Sequence, residues 1–206
     1  MIVLFWTLCA FVSGSLMFSY WLGRLARHNL RSVGDGNPGA LNLWQSAGYR
    51  LGLAGIVLDF GKGYGIVLAA RHWGGMEGYA LIPVGLAPII GHAFSPFLKG
   101  RGGKAIAVTF GVWSALSRFE VSLALAVILA ILQLVMKIVH KWKPISSQID
   151  GQQVVLGVLL LGVYLLVRGA PAAWFWIWAG NAALIVVKHR REILARLGKK
   201  KEETQP

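Results

Sequence analysis

The chain of 206 residues is 56% hydrophobic and only 14% charged, against about 45–50% and about 25% in ordinary soluble domains, which excludes a water-solvated globular protein. Its net charge of +13 is scattered between apolar stretches, so it reads as a topology signal and not as a nucleic-acid-binding surface. The single Cys9 lies in the first apolar stretch, which excludes a disulfide or a cysteine metal cluster within one chain.

Residues 2–22 carry no charge and are followed by Arg24, Arg27 and Arg31. This places the N-terminus outside and the next loop inside. Further apolar segments are expected at 51–70, 79–98, 105–117, 119–139, 152–168 and 171–187. The expected architecture is therefore an all-α polytopic bundle of about seven transmembrane helices, with a cytoplasmic C-terminus. On this topology seventeen of the 21 Lys and Arg lie inside, Arg71, Arg118 and Arg168 lie outside, and Lys62 falls within a segment. Segment 105–117 is too short, at about 1.5 Å per residue, for a core of about 30 Å. It is expected to begin below the membrane surface, with loop 99–104 recessed beside it. Non-helical backbone at such depth needs burial in protein or a watery cavity. Residues 1–197 are expected to form one membrane domain, and the charged run 198–206 a disordered cytoplasmic tail.

Four polar clusters lie towards the predicted cytoplasmic side. Gly34-Asp35-Gly36-Asn37-Pro38-Gly39-Ala40-Leu41-Asn42 is dense enough in glycine and asparagine to aim N–H groups at an anion. Gly91-His92 is followed by Lys99-Gly100-Arg101-Gly102-Gly103-Lys104 at a helix start, a glycine loop and a lysine suited to phosphate. Asp59 and Lys62 share a helix face at i and i+3, and their pairing lowers the cost of burying either charge. Ser146 and Ser147 precede a later helix, and Lys188-His189-Arg190-Arg191-Glu192 closes the last one. The set contains no nucleophile–base pair, no His-x-x-x-x-Asp motif and no metal-ligand cluster. It is built to hold phosphate at the inner face of a membrane. A small anion or phosphate transporter is the competing class, although no internal repeat of the kind transporters carry is evident.

In their order and spacing these motifs resemble the PlsY family of membrane acyl-phosphate:glycerol-3-phosphate acyltransferases over nearly the whole chain. The small first helix is matched by Ser13-Gly14-Ser15, the GSGNxGATN-type loop by residues 34–42, and the Asp-x-x-Lys-Gly of the second helix by Asp59, Lys62 and Gly63. The Gly-His and Gly-Gly-Lys elements are matched by Gly91, His92, Gly102, Gly103 and Lys104, and the closing Arg-His-Arg-Glu-Asn by residues 188–192. The resemblance implies acyl transfer from acyl phosphate to glycerol 3-phosphate to give lysophosphatidic acid, by a monomer among membrane lipids. No metal or cofactor is expected. The site would face the cytoplasm from a bacterial-type cell membrane. By the same resemblance Lys104, His189, Asn37 and Asp35 are the catalytic candidates. Gly34, Gly36, Gly39, Asn42, Gly102, Gly103, Lys104 and Ser146 would hold phosphate, and His92, Asp59 and Lys62 would support them. The chain departs from the pattern at Asp35 (serine in the family), Leu41 (threonine), Gln45 (arginine), Ala105 (glycine) and Arg191-Glu192 (Glu-Asn). Arg50 and Arg191 are the cations expected to compensate Asp35. A divergent member with another acceptor or reduced activity is the alternative within the family.

Overall fold

The computed structural model describes residues 1–142 and 147–194. Among them every regular element is helical: α1 (Ile2–Ser15), α2 (Phe18–Leu25), α3 (Ala40–Ala47), α4 (Tyr49–His72), α5 (Leu81–Ala93), α6 (Ile106–Ser117), α7 (Glu120–Val139), α8 (Ser147–Val167) and α9 (Ala172–Lys188). Five helical stretches are long and apolar enough to cross a bilayer, namely Ile2–Leu25, Tyr49–His72, Gly78–Leu98, Glu120–Val139 and Ile149–Val167, while α6 and α9 are shorter apolar helices. All seven expected segments are present. The short α3 was not foreseen, nor was the break that divides the first segment.

Outward-facing Ile131, Leu134, Val135 and Ile138 of α7 are exposed, the mark of a helix that borders lipid. Inside, α1 crosses α5 and α4 crosses α6. Gly14 lies against the Pro88 backbone and Gly91 against the Phe11 carbonyl, where any Cβ would overlap main chain. Small residues at such crossings let backbones approach closely in a bilayer. Short as expected, α6 is buried along most of its length. Its Trp113 indole donates to Asn181 Oδ1 on α9 at 3.2 Å, and Asn181 Nδ2 donates back to Thr109 Oγ1 at 3.0 Å.

The break between α1 and α2 is stabilised from α4. Leu16 is extended (φ −64°, ψ 119°), which removes its carbonyl from the helical ladder. The Lys62 ammonium donates to that carbonyl. The same ammonium pairs with Asp59 at 2.8 Å, the contact expected from their spacing, and lies 2.8 Å from His92 Nδ1 on α5. Because an ammonium only donates, Nδ1 accepts and the imidazole proton sits on Nε2. Ser19 Oγ donates to Asp59 Oδ2 at 2.5 Å, and Ser13 Oγ donates to the Lys62 carbonyl at 2.9 Å. Three helices and a loop therefore converge on one buried charge pair.

The two ends of the bundle differ. Arg71 donates to the carbonyls of Ala115 and Leu116 at 2.5 and 3.0 Å, and Arg168 pairs with Glu120 at 2.7 Å. These residues gather at one end, and the glycine loops lie at the other.

Asp59→Ala should cost about 3–5 kcal/mol, because it leaves Lys62 buried without its counter-charge. Replacing both residues by leucine and methionine should recover much of that loss. Thermal unfolding in detergent measures both.

Candidate active site

The first polar loop is organised around one amide. Asn42, in the first turn of α3, is 3% exposed, and its Nδ2 is shared among the carbonyls of Val33 (2.8 Å) and Asn37 (2.9 Å), Asp35 Oδ1 (3.0 Å) and the Leu30 carbonyl (3.5 Å). Gly34 and Gly36 take φ of +55° and +72°, a region open to glycine at little cost, and so curl the chain around that amide. The donor assigned to phosphate from sequence is thus engaged within the loop, which it holds together. Asp35 Oδ1 also accepts the Asn37 N–H at 3.0 Å. This turns the other carboxylate oxygen inwards, where it meets Lys104 Nζ at 2.6 Å.

The second loop is pinned at several points. Ser95 Oγ donates to the Ser15 carbonyl (2.7 Å), and Arg31 Nη2 donates to the Arg101 carbonyl (3.1 Å). Lys188 Nζ donates to the carbonyls of Ala93 and Gly102 at 2.8 and 3.2 Å. Gly103 N–H donates to the His92 carbonyl at 3.0 Å. A Cβ on Gly102 would strike that carbonyl, and one on Gly103 would strike the His92 imidazole. The two glycines therefore admit α5 at close range, and the Gly103 amide is spent on His92 instead of pointing at an anion. Ala105, the residue before α6, holds φ +63°, a left-handed conformation costing roughly 1–2 kcal/mol in a residue with a Cβ.

Lys104 emerges from this loop between two carboxylates, Asp35 Oδ2 at 2.6 Å and Glu192 Oε1 at 2.5 Å. Burial works against charge on Lys104, but its hydrogen bonds to Asp35 and Glu192 prevail and raise its pKa. Burial likewise opposes ionised Asp35, but the Lys104, Asn37 and Asn42 hydrogen bonds lower its pKa overall. The cation that compensates Asp35 is thus Lys104, not the expected Arg50 or Arg191. Arg50 turns instead to its neighbour Tyr49 at 3.2 Å, and Arg191 is exposed at the rim. His189 is 1% exposed, and its Nδ1 donates to the Ile185 carbonyl at 2.9 Å. Burial pushes its pKa below the usual histidine value despite that hydrogen bond, and the nearby Lys104 charge acts in the same direction.

Three cavities meet at Lys104 and Asn37. One, of about 610 Å³, is walled by Arg31, Arg101, Lys188, Arg190 and Arg191 together with Asp35 and Glu192. A second, of about 320 Å³, is an apolar groove between Leu41, Trp44, Ile56, Ile106 and Phe110, floored by Asp59 and His92. The third, of about 460 Å³, runs past Leu129, Val154, Gln153 and His189. Gly34 and Gly39 belong to the first loop, Lys62 sits behind His92, and Ser146 lies outside the described residues. Glu192 was named from sequence within the closing cluster but given no role, and Gln153 was not named at all. Gln153 is a polar residue in an apolar helix, and its buried Nε2 has no hydrogen-bond partner among the described residues.

Residues 4–199 match the family model described as glycerol-3-phosphate acyltransferase. The chain belongs to that family. It is 34% identical over 189 residues to glycerol-3-phosphate acyltransferase 1 of Thermotoga maritima, covering 89% of this chain and 92% of the relative. It is 31% identical over 190 residues to the glycerol-3-phosphate acyltransferase of Aquifex aeolicus, covering 92% and 93%. Among solved structures it is similar to crystal structures of PlsY, described as an integral membrane glycerol 3-phosphate acyltransferase, in a glycerol 3-phosphate form (TM-score 0.81, 29% identity) and a lysophosphatidic acid form (TM-score 0.80, 27% identity). Each match covers 96% of this chain and 92% of the other. Like them, this is a multi-pass membrane protein.

Folding lowers the pKa of Asp35 from its ordinary 3.8, so its contribution to stability is complete above that value and is lost as the pH falls through the lower folded value. Folding raises the pKa of Lys104 from 10.5, so its contribution is complete below that value and is lost as the pH rises through the higher folded value. The Tm difference between the protein and its Asp35→Asn variant should stay level between roughly pH 5 and pH 9 and shrink in stronger acid. A pH series of thermal scans in detergent checks this.

Proposed function

We propose that the protein transfers a fatty acyl group from acyl phosphate to the 1-hydroxyl of glycerol 3-phosphate, releasing lysophosphatidic acid and inorganic phosphate. The observation that carries this reading is the position of Lys104, where a cation-walled polar cavity meets two apolar grooves. The polar cavity suits a phosphorylated, water-soluble acceptor. The grooves suit an acyl chain arriving from the bilayer. Where they meet, the acyl carbon of the mixed anhydride would lie beside an ammonium that stabilises charge growing on the departing phosphate. Family membership and the likeness to structures described in glycerol 3-phosphate and lysophosphatidic acid forms support the same acceptor and product.

The chemistry of the site supports acyl phosphate as the donor. Phosphate is a leaving group that already carries charge, and a site rich in cations lowers the barrier by holding it. The site operates at the cytoplasmic face of a bacterial-type cell membrane, in a monomer crossing seven times with its N-terminus outside. The gathering of both glycine loops and the basic run after α9 at one end of the bundle supports that orientation, since positive loops stay inside. A cysteine at Gly78 should react with an impermeant reagent from outside, and one at Lys200 should not.

The direct test combines purified protein, acyl phosphate and labelled glycerol 3-phosphate, with lysophosphatidic acid as the expected product. Acyl-CoA should not replace the donor, and EDTA should not inhibit. Lys104→Ala removes a charge-assisted contact worth about 1.5–3 kcal/mol, so kcat/KM should fall roughly 10- to 150-fold. Unchanged kinetics in that variant would remove the phosphate site from the argument.

A further inference from the structure

Among the described residues two buried side-chain atoms lack a hydrogen-bond partner, Asp59 Oδ1 and Gln153 Nε2. Asp59 Oδ1 lies 2.8 Å from the Lys62 ammonium, and that charge satisfies it. Gln153 has no such relief. The residue is 8% exposed, on a helix apolar enough to cross a membrane. The polar groups beside it are already engaged. Gln152 Nε2 donates to the Glu192 carbonyl at 2.9 Å, and Asp150 is hydrogen-bonded with Gln133 of α7. A buried amide donor without an acceptor costs free energy, and that cost is explained when the missing acceptor arrives with a ligand.

Gln153 lines the cavity of about 460 Å³ that joins Lys104 to the apolar flank formed by Ile106, Leu129 and Val154. Helical side chains lean towards the N-terminus of their own helix. In α8 that end packs on α9, where a Cβ at Gly151 would lie 3.1 Å from the His189 ring and 2.9 Å from Glu192 Cγ. The Gln153 amide is thus carried from the apolar wall towards the polar end. The ligand that spans such a space is the acyl donor, an apolar chain ending in a mixed anhydride of a carboxylic acid with phosphate. Its phosphate belongs with the cations. Its carbonyl oxygen is the acceptor at the junction of head and chain.

We propose that Gln153 is a catalytic residue whose Nε2 donates a hydrogen bond to the carbonyl oxygen of the acyl phosphate. This inference rests on the acyl-transfer reading given above. The contact fixes how far the chain enters, so that the acyl carbon stops beside Lys104. It also meets developing charge. As the hydroxyl oxygen of glycerol 3-phosphate bonds to the acyl carbon, the carbonyl π pair moves onto the oxygen that Gln153 holds. The pair returns when the bond from that carbon to the phosphate oxygen breaks. Phosphate leaves with the electrons of that bond, and the hydroxyl proton departs as part of hydrogen phosphate. A donor fixed in a water-poor groove favours the charged stage over the resting one.

The test compares Gln153→Met, close to glutamine in length, and Gln153→Leu with the unaltered protein. Both remove the donor, so kcat should fall about 100-fold while KM for glycerol 3-phosphate stays within about twofold. Their Tm in detergent should hold or rise, because a buried unpaired donor has gone. A structural role cannot give that combination, since an amide bonded within the fold lowers Tm when it is removed. Two unreactive probes locate the contact. A β-ketophosphonate, which keeps the carbonyl, should bind Gln153→Met roughly 3- to 10-fold more weakly. An alkyl phosphate of the same chain length, which has no carbonyl, should bind both proteins equally. A kcat within about threefold of the unaltered protein, a Tm that falls, a loss confined to KM for glycerol 3-phosphate, or equal weakening of both probes would each overturn the proposal. Should the unaltered protein form no lysophosphatidic acid from acyl phosphate, the acyl-transfer reading itself fails and takes this one with it. An active unaltered protein with unaffected variants removes this inference alone.

Discussion

A single buried ammonium, that of Lys62, holds the site end of the molecule in register. It donates to the Leu16 carbonyl at the α1–α2 break, neutralises Asp59 and donates to His92 Nδ1. A charged group in a lipid-solvated bundle persists only when such partners surround it. The consequence reaches beyond the network itself. With His92 fixed, its carbonyl anchors Gly103 and its ring leaves room only for glycine there. Lys104 is the next residue, so its position is inherited from Lys62 by way of a helix and a two-glycine contact. The residues read as supporting are therefore what fixes the second glycine loop in place.

Charge at the site is balanced locally and not uniformly. Lys104 sits between two carboxylates, while the wall of the same cavity carries Arg31, Arg101, Lys188, Arg190 and Arg191. Lys188 is partly employed in holding carbonyls of the second loop. The cavity as a whole attracts an anion, but its innermost ammonium is already paired. On the proposed function, a phosphate reaching Lys104 would share it with Asp35 and Glu192. This lowers the gain from binding there and leaves more of the interaction to be made as charge develops during reaction, the condition under which binding energy accelerates chemistry.

The apolar segments were legible because a lipid-facing helix must be apolar for most of its length, and length and charge spacing suffice to find it. The Asp59–Lys62 pair was equally legible from its i,i+3 spacing. The break at Leu16 was not, since neither proline nor charge marks it and its cause lies 46 positions away in Lys62. α3 escaped because a helix of 8 residues between glycine loops gives too few turns for periodicity to show. The partner of Asp35 was misread for a related reason. Arg50 is nearer in sequence, but the folding of two loops brings Lys104 to it. Glu192 was seen at the end of the basic run 188–191, but its pairing with Lys104 spans 88 positions and has no local signal.

The shortness of α6 bears on the host bilayer. Its 12 residues rise about 18 Å, against a hydrocarbon thickness of about 30 Å. If the Ser117 end lies level with the far surface, its other end stops roughly 12 Å short of the near one. Lys104, two residues before that helix, then sits below the boundary of the hydrocarbon layer and not at the depth of head groups. An amphiphile need not climb out of its leaflet to present its reactive carbon. The vertical match between lipid and protein becomes a determinant of rate. Thickening the membrane with longer or more saturated chains would carry the donor's carbonyl away from a fixed point in the protein, and the resulting mismatch would be relieved only by tilting the bundle or deforming the leaflet around it.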